Sequence, residues 1–470
     1  MNAKRKATQL SEISQFASPK PLDESTWHMW VDTEEARGSG AVLKLVEQLR
    51  QAHSQPDPVK ALFAGHSGSG KSTELVRVKR EIDALYYVVI ARIGDRYSLP
   101  TVDYRQLLFF CASQLVDVGA QVDAEVEKDE AQNLLAWFDE RTREEVKKEG
   151  VQMAVEAGAK IGFFTTLFAK VSGKIYSGGD TRETVSKHIE DRLDQLRINM
   201  QVIVRSIEKK LGTRRLLLVL EDLDKIEDRD QGCKLFFEHR RQLLDIPCSV
   251  IFTFPIALWY EQEAGVLNYP IRYLLPMIPV ALPPSGVSQS DAAGRRKADA
   301  GREALRQVFF QRLDEGANLI APDALDDLIT YSGGVLRDLL YMLREAAIGA
   351  KIKGRARIER DDVREVVHLL REEYANRLSP HPYGGTEVTI EDIKKVLGNS
   401  GDWPKWPWRV DQTVAFKMLL QSLCILEYDG QRWFGLHPAM REYLELQDAE
   451  QKARKTQKGR STRSRKGKKR

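Results

Sequence analysis

Gly65-His66-Ser67-Gly68-Ser69-Gly70-Lys71-Ser72, preceded by the apolar run Ala61-Leu62-Phe63-Ala64 and followed by Thr73-Glu74-Leu75-Val76, decides how this chain is read. The eight residues complete the pattern G-x-x-x-x-G-K-[ST], and the flanks read as the buried strand and the helix start that the pattern requires. Each residue type has a physical task. The glycines let successive backbone N–H groups turn inward as an anion-binding nest, to which the helix N-terminus adds partial positive charge. In such a loop Lys71 reaches the β- and γ-phosphates of a nucleotide, and the Ser72 hydroxyl sits on Mg²⁺. Gly65, His66, Ser67, Gly68, Ser69, Gly70, Lys71, Ser72 and Thr73 are therefore the expected contacts to ATP.

At 470 residues, 42% hydrophobic and 30% charged, the chain is long enough for two to four domains with proper cores. Its four cysteines, Cys111, Cys233, Cys248 and Cys424, lie far apart with no C-x-x-C pair and no histidine at ligand spacing. This argues against a zinc site or a disulfide framework and points to a reducing, cytoplasmic setting. Met1 to Lys20 lacks the apolar core of a signal peptide. The net charge of +4 is unevenly spread, because Lys452 to Arg470 carries eleven basic and no acidic residues. Any basic footprint is concentrated there.

Residues 1–40 read as an irregular lead-in docked by Trp27, Trp30 and Val31. Ala41 to His53 follows as an amphipathic helix with Val42, Leu45, Val46 and Leu49 on one face. Tyr86-Tyr87-Val88-Val89-Ile90-Ala91 is an apolar run of strand length, and a helix is expected from about Asp103 to Val118. Strand, loop, helix, strand, helix is the opening of an α/β fold with a parallel sheet covered on both faces. A helical insertion at about 120–212 interrupts it. Ile189, Leu193, Leu196, Met200, Ile203, Ile207 and Leu211 form a coiled-coil-like seam, expected to pair with the apolar segment Val151 to Phe168. Lys160 and Lys170 bracket only nine uncharged residues, too few for the roughly twenty of a membrane span.

Leu216-Leu217-Leu218-Val219-Leu220, followed by Glu221-Asp222-Leu223-Asp224, supplies the acids that a phosphate loop needs. A buried strand ending in acids delivers carboxylates to the carboxyl edge of the sheet, where ligands of open α/β folds bind. One acid would hold Mg²⁺ or its water, and a neighbour would orient the water that attacks the γ-phosphate. Two registers fit: Glu221 on the metal with Asp222 on the water, or Asp222 on the metal with Asp224 helping from the loop.

With Ser249 to Pro255 as the next strand, the order resembles AAA+ ATPases, especially the origin-recognition/initiator-loader branch, and the related STAND switch ATPases. The Glu221-Asp222 order inverts that family's usual Asp-Glu. The resemblance implies a P-loop core over 41–282 and gives Thr253 the place of the polar sensor at the end of the fourth strand. It puts Arg272 where the family carries an intersubunit arginine finger, an arginine that could equally be an ordinary surface residue. After a polar linker from Pro283 to about Gly301, a helical lid over 301–378 is implied. In that lid Ser332-Gly333-Gly334-Val335-Leu336-Arg337 resembles the second sensor, with Arg337 reaching toward the γ-phosphate.

From 387 to 447 the pattern becomes helix Ile390 to Leu397, a Trp/Pro-rich connector, helix Thr413 to Leu423, and two strand-like runs around Asp429-Gly430. This reads as a winged helix. Its candidate recognition helix carries only Lys417 as a cation, fewer than groove reading usually needs, so docking of a protein is an equal reading. The tail at 448–470 is too poor in apolar residues to pack and is expected to be disordered, free to bind nucleic-acid backbone or to remain solvated. Three functions follow. The first is an ATP-hydrolysing AAA+/STAND-like switch in defence or signalling, with a protein partner or self-association through the core, insertion or winged helix. The second is an initiator-type DNA-loading ATPase, and the third a non-hydrolysing scaffold that holds ATP. No membrane partner is expected.

Overall fold

The computed structural model describes residues 6–138, 160–176, 179–266, 269–281, 291–377, 382–383, 386–389, 392–393, 396, 413–429, 433–441 and 443. The chain divides into two compact units. One comprises Ala41–Ala64 and Glu74–Leu274, and the other Met1–Gly40, Gly65–Thr73 and Leu275–Arg470.

The first unit opens with α1 (Ala41–Ala52), whose Val42, Leu45, Val46 and Leu49 are buried as the helical period requires. The sheet strands are β1 (Lys60–Gly65), β2 (Tyr86–Arg92), β3 (Arg215–Glu221), β4 (Ser249–Phe254) and β5 (Ile271–Leu275). Their order is β2-β3-β4-β1-β5, with β2–β3, β3–β4 and β4–β1 all parallel. β1 and β4 are buried at every position. Continuous apolar runs do this in a parallel sheet because both faces are covered. Between β1 and β2 lies α2 (Lys71–Ile82), and after β2 comes α3 (Tyr104–Gln121), which starts at a capping box between Asp103 and Gln106.

The insertion contains α4 (Lys128–Trp137), α5 (Thr165–Tyr176), α6 (Gly179–Asp191) and α7 (Leu193–Leu211). The expected seam is two helices rather than one. It breaks at Arg192, whose carbonyl accepts from Trp137 Nε1 at 3.2 Å and whose guanidinium donates to the Ala136 and Trp137 carbonyls. Residues 151–159 of the expected apolar partner lie outside the described residues. Phe168 stacks on Phe109 of α3, with ring centroids 5.2 Å apart, and also on Trp137, so this part of the segment is a core element.

The second unit holds four helices in succession: α8 (Asp291–Phe310), α9 (Pro322–Ser332), α10 (Leu336–Ile352) and α11 (Arg360–Arg377). α8 starts about ten residues earlier than the polar composition suggested. Residues 291–301 are polar but rich in alanine, arginine and lysine, good helix formers, and Ala298 is buried. Short strands β6 (Pro382–Tyr383) and β7 (Thr386–Glu387) pair antiparallel. Helix α12 (Val414–Gln421), capped by Thr413, precedes the antiparallel pair β8 (Ile425–Glu427) and β9 (Phe434–Leu436). Most of the helix expected at Ile390 to Leu397, the tryptophan connector, Gly430 and the basic tail lie outside the described residues. Asp338 of α10 accepts from the Tyr374 hydroxyl at 2.7 Å, and His437, just after β9, stacks on Tyr374 at 4.1 Å. A buried polar cluster thereby joins the four helices to the C-terminal hairpin.

Candidate functional site

The phosphate loop departs from β1 at Gly65 and enters α2 at Lys71. Gly65, Gly68 and Gly70 all have positive φ, at 152°, 80° and 95°. Side chains strongly disfavour this backbone, and it turns successive N–H groups to one side. Four of the loop's carbonyls, those of Gly65, His66, Gly68 and Ser69, accept hydrogen bonds. Lys71 Nζ donates to the Gly65 and His66 carbonyls at 2.8 Å each, and Arg37 donates to the Ser69 carbonyl at 2.6 Å. The Arg337 N–H donates to the Gly68 carbonyl at 3.3 Å. The Gly68 and Gly70 N–H groups donate to no atom among the described residues, and the buried Ser69 hydroxyl also lacks a partner there.

This donor set fits a polyphosphate anion. Inward N–H groups, one orphaned hydroxyl and a buried ammonium are what such a ligand satisfies. Ser72, on the first turn of α2, is part-exposed and could reach a cation held by the phosphates. Thr73 Oγ1 accepts from the Leu22 N–H at 3.3 Å, so it anchors the lead-in rather than pointing freely.

His66 is fully buried in the loop. Its Nε2 accepts from the Glu427 N–H at 2.9 Å, and the Glu427 carbonyl in turn accepts from the Met277 N–H at 2.8 Å. Burial, with the Lys71 charge added, pushes the imidazole down to about 3, so it is a neutral acceptor. The Tyr428 hydroxyl donates to the Gly333 carbonyl at 3.0 Å. Gly334, at φ 85°, lies so close to the Ile278 carbonyl that a Cβ would collide with it. The Ser332-Gly333-Gly334 turn thus starts α10 with Arg337 exposed at its first turn and its backbone on the loop. The loop, expected within the 41–282 core, groups with the helices and hairpin because Arg37, Arg337 and Glu427 all bond to it.

The other unit holds the acids. Glu221 closes β3 at 2% exposure, and its parallel register partner is Arg92 of β2. Arg92 Nε donates to Glu221 Oε2 at 3.1 Å, whereas the buried Oε1 has no partner among the described residues. A buried carboxylate oxygen without a donor fits a cation or its water. Asp222 follows in the left-handed region, at φ 75°, which aspartate tolerates better than most residues. Its carboxylate pairs with Lys225 and lies against Gly94. Asp224 is buried, and its N–H donates to Thr253 Oγ1 at 3.4 Å while that hydroxyl donates to the Leu220 carbonyl at 3.1 Å. Thr253 therefore ties the acidic turn to β4. Arg272 is half-buried in β5, where its guanidinium lies over Trp259 at 4.9 Å and donates to the Ala264 carbonyl.

Within these two clusters, sequence reasoning missed Arg37, Arg92, Lys225 and Glu427. Only Arg92 carried a usable signal, since pairing the second and third strands in register puts it opposite Glu221.

No protein-family model matches the chain, and no curated protein matches it. Among solved structures it is similar to Cdc6p from Pyrobaculum aerophilum, at 12% identity over 82% of this chain and 78% of that one, with a TM-score of 0.38. It is similar to a chain of Drosophila ORC bound to DNA, at 11% identity, 84% and 73% coverage, and a TM-score of 0.39. The RuvB Holliday junction branch migration motor of Thermotoga maritima is matched at 11% identity, 92% and 99% coverage, and a TM-score of 0.35. All three are AAA+ P-loop ATPases.

Proposed function

We propose that the chain is an ATP-binding and ATP-hydrolysing switch of the AAA+/STAND kind. The observation that carries this is the phosphate loop, whose N–H side is open to an anion while its carbonyl side is bonded to Arg37, Lys71 and Arg337. Gly65 to Thr73 take the triphosphate, with Lys71 as the mobile cation. Ser72 and Glu221 would hold Mg²⁺, which when bound would supply charge neutralisation at the phosphates, and Asp222 would orient the attacking water. Asp224 and Thr253 brace the acidic turn. Arg337 reads the γ-phosphate from α10, and Arg272 acts as a finger once released from Trp259.

The switch element is the hairpin. His66 and Gly68 bond directly to Glu427 and Arg337, so a change in the loop is felt at once by β8 and α10. The Asp338–Tyr374–His437 cluster couples those two to each other.

For the winged helix, protein docking is favoured over groove reading. Lys417, the one cation of α12, is 5% exposed and points inward. The initiator-type alternative then draws no cation from α12 and relies first on the basic tail, and the scaffold alternative on absence of turnover. Among the described residues no helix is long and apolar enough to cross a membrane. The test is steady-state ATP hydrolysis by the full chain, with and without duplex DNA and with Lys71→Ala as reference. Turnover independent of DNA supports the switch. Strong stimulation by DNA favours the loader, and no turnover above the reference leaves the scaffold.

A further inference from the structure

A cavity of about 410 Å³ lies in the sheet unit between the loop after β2 and helices α3 and α5. That volume is in the range of small-molecule sites. Arg96 comes from the loop, Ser113 and Asp117 from α3, and Thr165, Thr166 and Ser172 from α5. Arg96 donates to Ser113 Oγ at 2.7 Å and to Asp117 Oδ2 at 2.9 Å. Ser113 is 2% exposed, so one end of this polar array is built into the core. Thr165 Oγ1 donates to the Gly162 carbonyl at 2.8 Å and keeps its lone pairs as acceptors.

Behind this array the Ser172 Oγ and the Tyr97 hydroxyl, both shielded from solvent, lie near each other. Tyr97 is 5% exposed and its ring packs edge-on against Phe110.

We propose that this cavity binds a small zwitterion of the α-amino acid class with an uncharged polar side chain, its carboxylate on Arg96 and its ammonium on Asp117. The wall presents a fixed positive and negative charge side by side. An α-amino acid presents the same two charges at similar spacing, so an antiparallel alignment sets each against its opposite. A lone anion or cation would meet the like member of the pair as well. A neutral polyol would satisfy the hydroxyls and leave the ion pair unused. Thr165 and Thr166 line the space left for the rest of the ligand, and an aliphatic side chain there would leave their hydroxyls unpaired, which selects against it. Gly94, two residues before Arg96, packs against the Asp222 carboxylate, so the ligand-bearing loop also borders the acidic turn.

The test is calorimetric titration of the full-length chain with serine, threonine, asparagine and glutamine, each beside leucine. Serine is also compared with 3-hydroxypropanoate, ethanolamine and glycerol, which remove the ammonium, the carboxylate and both. At least one polar amino acid should bind, with leucine at least tenfold weaker. If serine binds, its three analogues should also be at least tenfold weaker. Arg96→Met should cost tenfold or more, and Thr166→Val, which keeps the ion pair, a few-fold. Circular dichroism and binding of an ATP analogue should be unchanged in both variants, which separates this site from the phosphate loop. Absence of binding by all four polar amino acids overturns the proposal. So does equal binding of leucine or, where serine binds, of glycerol or either one-charge analogue. Binding that survives both substitutions unchanged overturns it too.

Discussion

The imidazole of His66, second residue of the phosphate loop, accepts a hydrogen bond at 2.9 Å from the backbone N–H of Glu427 at the end of β8. The pattern G-x-x-x-x-G-K-[ST] leaves that position open to any residue type. In this chain it is the fastening between the loop and the C-terminal hairpin, so the hairpin cannot leave the loop without exposing an imidazole that is fully buried and neutral.

Stability should therefore carry a histidine signature in acid. The folded imidazole is pushed from 6.5 down to about 3. Between those values the unfolded chain binds the proton and the folded one does not. The contribution is intact above pH 6.5 and is lost as pH falls toward 3, by at most about 1.4 kcal/mol per pH unit. His66→Gln keeps an acceptor and cannot titrate there. Urea denaturation at pH 7 and pH 5 should show a smaller difference in the variant than in the parent. Equal differences would remove His66 as the source.

Lys71→Ala should lower affinity for a slowly hydrolysed ATP analogue by about one to two orders of magnitude. Hydrogen bonds to charged groups are worth about 1.5–3 kcal/mol, and the lost ammonium also frees the Gly65 and His66 carbonyls to repel the phosphates. Unchanged binding of a fluorescent analogue would withdraw the phosphate-loop reading.

The two acids are distinguished by their environments. Glu221 has a buried oxygen without a donor among the described residues, and Asp222 is paired with Lys225 on the turn. Glu221→Gln should weaken Mg²⁺-dependent nucleotide binding, while Asp222→Asn should retain binding and slow turnover by two orders of magnitude or more. The opposite pattern assigns the metal to Asp222 with Asp224 assisting. Normal turnover in both removes the acidic turn from the chemistry.

Arg37 is 1% exposed and donates to the carbonyls of Ser69 and Pro276 and, through Nε, to Thr33 Oγ1. Arg37→Met preserves much of the volume and leaves those carbonyls unpaired. A loss of about 2–4 kcal/mol is expected in chemical denaturation, together with weaker nucleotide binding. A variant as stable as the parent, with the same affinity, would reduce Arg37 to a packing residue.

The sheet and the loop were legible because their signals are local. Leu216 to Leu220 is apolar without alternation, as a strand covered on both faces must be, and the phosphate loop is contiguous. The four helices from α8 to α11 were legible by period, although the start of α8 was not, since its exposed polar residues hide a helix former's composition. What fastens the loop was not legible. His66 and Glu427 are 361 positions apart, and nothing about either residue alone announces the pair. The break at Arg192 was equally hidden, because it depends on Trp137 from another helix. Arg272 could be placed by position, but its stacking on Trp259 is a property of packing.

Removal of residues 452–470 tests the loader against the switch. Eleven basic side chains are lost, none of them in the phosphate loop or the acidic turn. Backbone binding by counterion release scales with the number of phosphates neutralised, so any DNA affinity should drop and its dependence on salt should flatten. Turnover without DNA should persist, since every residue assigned to it lies at or before Arg337. α12 offers no compensating surface, its lysine being buried. Fluorescence anisotropy with a labelled duplex at several salt concentrations, run on both chains, decides the matter. A truncated chain that binds as tightly, with the same slope, would place DNA contact on the insertion or the hairpin. Failure of the full-length chain to bind DNA at all would leave the hairpin-locked loop as the part of the molecule through which nucleotide state is passed on.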